Sequence, residues 1–430
     1  LALSDRKGPT HVDFPMDLQR KSIEATTFLP PMPFNHNRET LSADSIARLI
    51  SDIKNAKKPL FYFGNGIRNV ESTRLAFDLI VKTGIPYLTS WSAIDIFSES
   101  DNLNIGRVGI YGDRHANILL QKSDLLISIG TRLAIPQIGY DKLDFGRNAK
   151  KWVVDIDATE CSKFEGLGWN ILNIDALQVL RALNEDELKA PDFSDWATDC
   201  SLTKSRLPRR DQQGPQPSTP ETQIHSSDVI AFINKHLASD AIVGTDVGAA
   251  LLTGHAMYEQ SGSRRFFTSQ GLGEMGFGLP GAIGAYFADK NRQIVCLNTD
   301  GALMFNLQEL QLVKEHQIPL KLFVFNNFGY SMIKISQENL FDGRLAGSSV
   351  ESGVSFPSFS DIAKTFGFGH TVVDSKENVE NALKPLHSQN AELIEIIMDP
   401  NQKYFPRLAT NKLSDGTLVS PPLEDMDPKI

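Results

Sequence analysis

The stretch Ile294-Val-Cys-Leu-Asn-Thr299-Asp300-Gly301, followed by Lys321-Leu-Phe-Val-Phe-Asn326-Asn327, decides how this chain folds. An apolar run ends at Thr299. Leu303, Leu307 and Leu310 then read as one face of a helix, and a second apolar run, Leu322 to Phe325, ends in two asparagines. Strand, helix and strand in that order make a βαβ unit, whose strands run parallel as neighbours. Asp300 and Asn327 then meet at the carboxyl edge of the sheet, where α/β folds bind ligands. Twenty-six residues, Gly301 to Asn326, separate them.

A carboxylate, an amide oxygen and a backbone carbonyl are oxygen donors suited to Mg²⁺, which completes its shell with phosphate oxygens when protein groups are few. Gly301 leaves the backbone open to such a phosphate, and the helix behind it directs N–H groups the same way. The pattern predicts a magnesium diphosphate site. Alone, Asp300-Gly301 reads first as an ordinary turn; the joint pattern with Asn327 carries the prediction.

Outward from this unit the alternation continues. Strands are expected at Leu60–Phe63, Ile85–Thr89, Asp124–Ile129, Trp152–Ile156, Ala241–Thr245, Thr371–Val373 and Leu393–Ile397, with helices between them. Short apolar strands separated by amphipathic helices predict an α/β chain of two doubly wound parallel-sheet domains. The first spans 36–190 and the second 226–400. Residues 191–225 are read as a linker, Pro-rich over 207–224, and 401–430 as a tail over the body. Near the start, His11–Phe14 reads as a short strand ended by Pro15, and Phe28–Phe34 as an extended connector.

Composition narrows the function. Lys plus Arg number 43 against 52 Asp plus Glu, a net charge of −9 that suits a phosphate polymer poorly, so no nucleic-acid partner is expected. The basic run Arg206–Arg210 reads as a solvated turn. Cys161, Cys200 and Cys296 are far apart and read as thiols of a reducing compartment. Apolar stretches fall short of a membrane span, and Leu1–Lys7 lack the apolar core of a secretion signal; a cytoplasmic location without membrane association is expected. Nine scattered histidines, His115 and His255 among them, come with no matching acid and nucleophile for a hydrolase.

Thr299-Asp300-Gly301 through Asn326-Asn327 resembles the thiamine diphosphate fingerprint, Gly-Asp-Gly, a spacer, then Asn-Asn, with Thr299 in place of the first glycine. Gly271-Leu-Gly-Glu-Met-Gly-Phe-Gly-Leu-Pro280 and Asn306-Leu-Gln-Glu-Leu310 resemble the matching segments of acetohydroxyacid (acetolactate) synthases and pyruvate oxidases. The resemblance covers almost the whole chain: the last strand of a pyrimidine-binding domain and a connector (1–35), a central domain, and a diphosphate-binding domain. It implies that Asp300, Asn327 and the Gly329 carbonyl hold the metal. It places Gly273, Glu274, Gly301 and Ala302 around the diphosphate, with Ser331 and Met332 also at the cofactor. Met275 would be the bulky support that bends it, where the plainer reading is a core methionine.

The family's general acid–base glutamate lies in the N-terminal domain, so the resemblance names no catalytic residue here. It leaves this chain alone incomplete for catalysis, as a fragment or as a natural truncation. It further implies a transferase or lyase that decarboxylates a 2-keto acid, pyruvate, and transfers the two-carbon unit to a second carbonyl, within a homodimer or homotetramer. Two departures concern the acceptor. Gly248-Ala-Ala-Leu251 replaces a Gly-Gln-His-Gln segment, and Ser336 stands near the position of a bulky aromatic. Together with Phe328–Gln337 and Ser352–Pro357, these resemble synthase-like proteins of surface-sugar gene clusters, which points to a keto-sugar acceptor. Flavin stays open. Gly64, Gly66, Arg132, Asp157 and Asp175 fall where the synthases contact FAD, but a short glycine loop is weak support, and Leu133–Pro136 replaces an acidic run. Competing readings are a non-catalytic cofactor-binding homologue, a related 2-keto acid decarboxylase, and a nicotinamide-dependent oxidoreductase.

Overall fold

A computed structural model describes residues 2, 6–22, 24, 40–185, 188–207, 224–409, 411–413 and 415–429. Among the described residues eleven strands form two all-parallel sheets, beside a small antiparallel pair in the tail, Asn411–Lys412 with Leu418–Val419. The first holds β1 (Pro59–Phe63), β2 (Tyr87–Thr89), β3 (Leu125–Ile129), β4 (Lys150–Val154) and β5 (Asn170–Leu172), in the order 2-1-3-4-5. The second holds β6 (Ile242–Thr245), β7 (Arg265–Phe267), β8 (Ile294–Thr299), β9 (Lys321–Asn326), β10 (Gly369–Val373) and β11 (Glu392–Ile397), in the order 10-11-9-8-6-7. The expected doubly wound architecture is present. β1, β3, β8 and β9 are buried on both faces, which is why they read as unbroken apolar runs.

Local chemistry sets the helices. Ser42 caps Ala43–Asn55 by accepting from Ser45 N at 3.1 Å, and Leu49, Ile50 and Ile53 bury one face. Val70–Thr83 ends at Gly84, whose φ of 64° provides a left-handed stop. In the second domain, Ser226–His236 buries Val229, Ile230 and Ile233.

The structure corrects four expectations. His11–Phe14 forms no strand: the segment is exposed and unpaired, and a single helical turn, Met16–Gln19, follows it. A strand with no neighbour buries nothing that offsets the entropy of ordering it. The helix after Asp300 is broken into Asp300–Leu303, a 3₁₀ turn at Leu307–Glu309, and Leu310–Glu315. Part of the expected linker, Ser194–Arg206, is a helix that buries Trp196 and Cys200 against the first domain, with Trp196 Nε1 donating to Pro59 O at 2.9 Å. The two three-residue strands β5 and β7 were not anticipated. The Phe28–Phe34 connector and the prolines at 208, 215, 217 and 220 lie outside the described residues.

The tail returns to the first domain. Leu408, Leu423 and Met426 join its core. Arg114, on the helix Arg114–Lys122, donates to Met426 O (3.0 Å) and Pro428 O (2.7 Å), and Asn117 donates to Leu423 O (2.9 Å).

Candidate active site

β6 and β8 lie side by side at the point where strand order reverses in the second sheet, and their carboxyl ends open the crevice that such sheets use for ligands. β8 and β9 pair in parallel with Thr299 opposite Phe325, which brings Asp300 beside the Asn326–Gly329 turn. The Asp300 carboxylate is fully buried. Oδ1 accepts from Gly301 N at 2.8 Å, and Oδ2 from Asn327 N at 3.0 Å and Gly329 N at 3.1 Å. Phe328, between those two donors, has φ of 60°, a strained value for a bulky residue that turns both N–H groups toward one oxygen. Asn326 supports the turn: its Oδ1 accepts from Phe328 N (3.1 Å) and its Nδ2 donates to Glu395 (2.7 Å).

Burial pushes the Asp300 carboxyl up to about 7, against the opposing pull of the backbone donors. A carboxylate so placed is charged at moderate cost only beside a cation. Among the described residues, no three His, Cys, Asp or Glu side chains are gathered into a metal site. The donors on offer are one carboxylate, one amide and one carbonyl, all oxygen, which fits a hard divalent ion that takes its remaining ligands from phosphate.

The glycines do more than the sequence suggested. A Cβ at Gly301 would lie 2.3 Å from the Tyr330 ring, so this glycine admits a side chain of its own chain. A Cβ at Gly329 would meet Ser348 O at 2.5 Å, the carbonyl that also accepts from Tyr330 N at 2.9 Å. Ala302 and Ser331 are buried beside Asp300 and at the head of the helix Ser331–Leu340, and Met332 packs half-buried on the core.

Sequence reading missed Asp246, at the end of β6. It is buried, and burial raises its carboxyl. Oδ1 accepts from Val247 N (2.9 Å) and Oδ2 from Gly278 N (2.7 Å), while Gly276 N donates at 3.1 Å to both. Asp246 thereby anchors the loop that carries Gly273, Glu274 and Met275 at the same sheet edge as Asp300. Asn306 adds a second tie by donating to Gly276 O at 2.7 Å. The only signal was an acid directly after an apolar strand, which also describes any turn. Gly273 has φ of 66°, Glu274 accepts from Ser269 at 2.7 Å, and Met275 is half-buried.

In the first domain, Gly64, Gly66, Arg132, Asp157 and Asp175 all have partners within the chain. A Cβ at Gly64 would sit 2.0 Å from Gly130 O, and one at Gly66 2.7 Å from Gly130 Cα. Gly66 N donates to Gly130 O at 3.0 Å. Arg132 pairs with Glu160 at 2.7 Å, and Asp157 with Arg6 at 2.7 Å while capping a helix through Thr159 N. Asp175 accepts from Leu177 N at 2.9 Å.

Residues 46–183 match the central domain of thiamine pyrophosphate enzymes, and residues 246–396 match their C-terminal thiamine pyrophosphate-binding domain. The chain is 30% identical over 421 residues to a probable acetolactate synthase large subunit of Methanococcus aeolicus, spanning 93% of this chain and 69% of that protein. The chain belongs to the acetolactate synthase-like family of thiamine pyrophosphate enzymes. Other relatives are the acetolactate synthase large subunit of Lactococcus lactis (27% identical; 96% of this chain, 70% of that protein) and the isozyme 2 large subunit of Escherichia coli (28%; 94% and 71%). As a member of this family it is an enzyme of the thiamine diphosphate-dependent transferase and lyase class, and its second sheet is the cofactor-binding domain. Its central domain carries the first sheet. Among the described residues, no helix is long and apolar enough to cross a membrane.

Proposed function

We propose that this chain is the central and diphosphate-binding part of a Mg²⁺-dependent carboligase that decarboxylates pyruvate and passes the two-carbon unit to a second carbonyl. The observation that carries the reading is the buried Asp300 carboxylate with Asn327 and Gly329 turned onto it. In this proposal Asp300, the Asn327 side chain and the Gly329 carbonyl hold Mg²⁺, while Gly273, Glu274, Gly301 and Ala302 surround the diphosphate. Ser331 and Met332 line its helix side, and Met275 supports its bend. The domain limits 36–190 and 226–400 go with this assignment.

Thiamine diphosphate supplies the carbanion chemistry that lets a 2-keto acid lose CO₂. The chain's own residues bind and orient. Asp300 fixes the cation, and Asp246 anchors the loop that sets Gly273, Glu274 and Met275 at the sheet edge. No residue of this chain is assigned to move a proton. The acceptor we propose alongside a second 2-keto acid is a keto sugar, because Ser336 is small and exposed where the synthases carry a bulky aromatic. A homodimer or homotetramer in the cytoplasm completes the proposal. Flavin is left out of it, since Gly64 and Gly66 are accounted for by the Gly130 loop.

The test is calorimetric titration with thiamine diphosphate, with and without Mg²⁺, beside Asp300→Ala. Magnesium-dependent binding that the variant loses supports the reading. Magnesium-independent binding, or binding the variant keeps, overturns it.

A further inference from the structure

Two contacts away from the diphosphate edge converge on the segment that leads into it. After β2 the central domain turns through Trp91–Ala93 and presents Asp95, whose carboxylate is fully buried. Oδ1 accepts from the Arg68 guanidinium of the same domain. Oδ2 accepts from Arg265 Nη1 (2.5 Å) and Phe266 N (3.0 Å), both on β7 of the second domain. Four residues earlier, Trp91 stacks on His255, with ring centroids 5.0 Å apart and planes at 29°. His255 is buried; its Nδ1 lies 3.0 Å from Leu251 O and its Nε2 3.1 Å from the Gln270 side-chain nitrogen. Burial pushes the imidazole down to about 4, so the neutral ring donates to Leu251 and accepts from Gln270.

Arg265 and Gln270 bracket the six residues that run directly into the Gly271–Gly278 loop. β7 is an edge strand of three residues with β6 as its one neighbour in the sheet, too little by itself to fix that run. Burying the Asp95 carboxylate against the partly exposed Arg68 and Arg265 side chains adds little net stability over an apolar contact. What it adds is direction, because misplaced partners leave a buried charge unpaired.

We propose that Trp91–Asp95 is a clamp through which the central domain positions the cofactor loop: Asp95 holds β7, and Trp91 holds His255 and through it Gln270. Asp95 touches no reacting group and is a positioning residue. The inference rests on the diphosphate reading of the Gly271–Gly278 loop.

The test is Asp95→Asn in the full chain, with two measurements. Amide hydrogen exchange over 268–278, without ligand, is expected to rise about tenfold, the equivalent of one lost buried hydrogen bond. Exchange in β3 and β4 stays unchanged. The affinity for Mg²⁺ with inorganic pyrophosphate falls by a similar factor. Gln270→Ala, which leaves every ion pair in place, gives the same two effects and carries the test if Asp95→Asn does not fold. Unchanged exchange over 268–278 overturns the proposal, as does a uniform rise that includes β3 and β4. If the diphosphate reading alone is wrong, Asp300→Asn binds magnesium pyrophosphate as well as the unaltered chain, while the local exchange effect of Asp95→Asn persists.

Discussion

Asp246 and Asp300 end adjacent strands of one sheet as buried carboxylates that both accept backbone N–H groups, yet they hold different things. Asp246 grips a remote loop through Gly276 and Gly278; Asp300 grips the turn of the next strand through Asn327 and Gly329. The first organises the covering loop and the second organises the floor.

Replacing Asp300 by Asn removes the charge and keeps the shape. Affinity for magnesium with thiamine diphosphate should fall by about 100-fold or more, because even outer-shell partners of a metal are worth 10–100-fold. Calorimetry checks this, and a change below tenfold contradicts the proposed metal role.

The raised Asp300 and Asp246 carboxyls fix the sign of a pH effect. Between the ordinary carboxylate range and about 7, the native chain without metal binds protons that the unfolded chain has released. The contribution of these two carboxyls to stability therefore falls as pH rises through that window, by an amount of the order of a few kcal/mol at most, while the lowered His255 works in the opposite direction. Magnesium with pyrophosphate should raise the melting temperature more at pH 8 than at pH 5. Asp300→Asn should flatten the pH dependence of the metal-free protein. Thermal melts of both proteins across pH decide it; identical pH profiles for the unaltered chain and Asp300→Asn reject it.

Gly301→Ala forces a methyl group to within 2.3 Å of the Tyr330 ring. Overpacking of this kind costs about 1–3 kcal/mol. Pairing it with Tyr330→Ala should recover part of that loss, so a double-mutant cycle by chemical denaturation should give a coupling above about 0.5 kcal/mol. Additive effects would mean the glycine serves something other than Tyr330.

The packing of Gly64 and Gly66 on Gly130 leads us to expect a protein without a flavin absorption band, whether as purified or after incubation with FAD and desalting. A stoichiometric band would show that the Gly130 loop moves to admit a dinucleotide.

Most of the fold was legible because parallel strands buried on both faces are unbroken apolar words, as in Leu60–Phe63 and Leu322–Phe325. β5 and β7 were not, since three residues containing Asn170 or Arg265 carry no period. The helix break after Leu303 was hidden because Leu303, Leu307 and Leu310 keep helical spacing across a turn made at Phe305-Asn306. Asp300 and Asn327 stood out through their joint spacing, whereas Asp246 works through Gly276 and Gly278, thirty and thirty-two positions away. Gly301 was legible as a close approach but not as to what approaches, because the Tyr330 ring comes from the turn after β9, twenty-nine positions on.

The return of the tail to the helix Arg114–Lys122 makes the cofactor-binding domain an insert within its neighbour's chain. The central domain is held at both ends of that insert, by Ser194–Arg206 before it and by Leu408, Leu423 and Met426 after it. Its core is thus closed by chain that follows the second domain in sequence. A truncation at residue 400 would remove nothing from the second sheet, yet it would uncover the first.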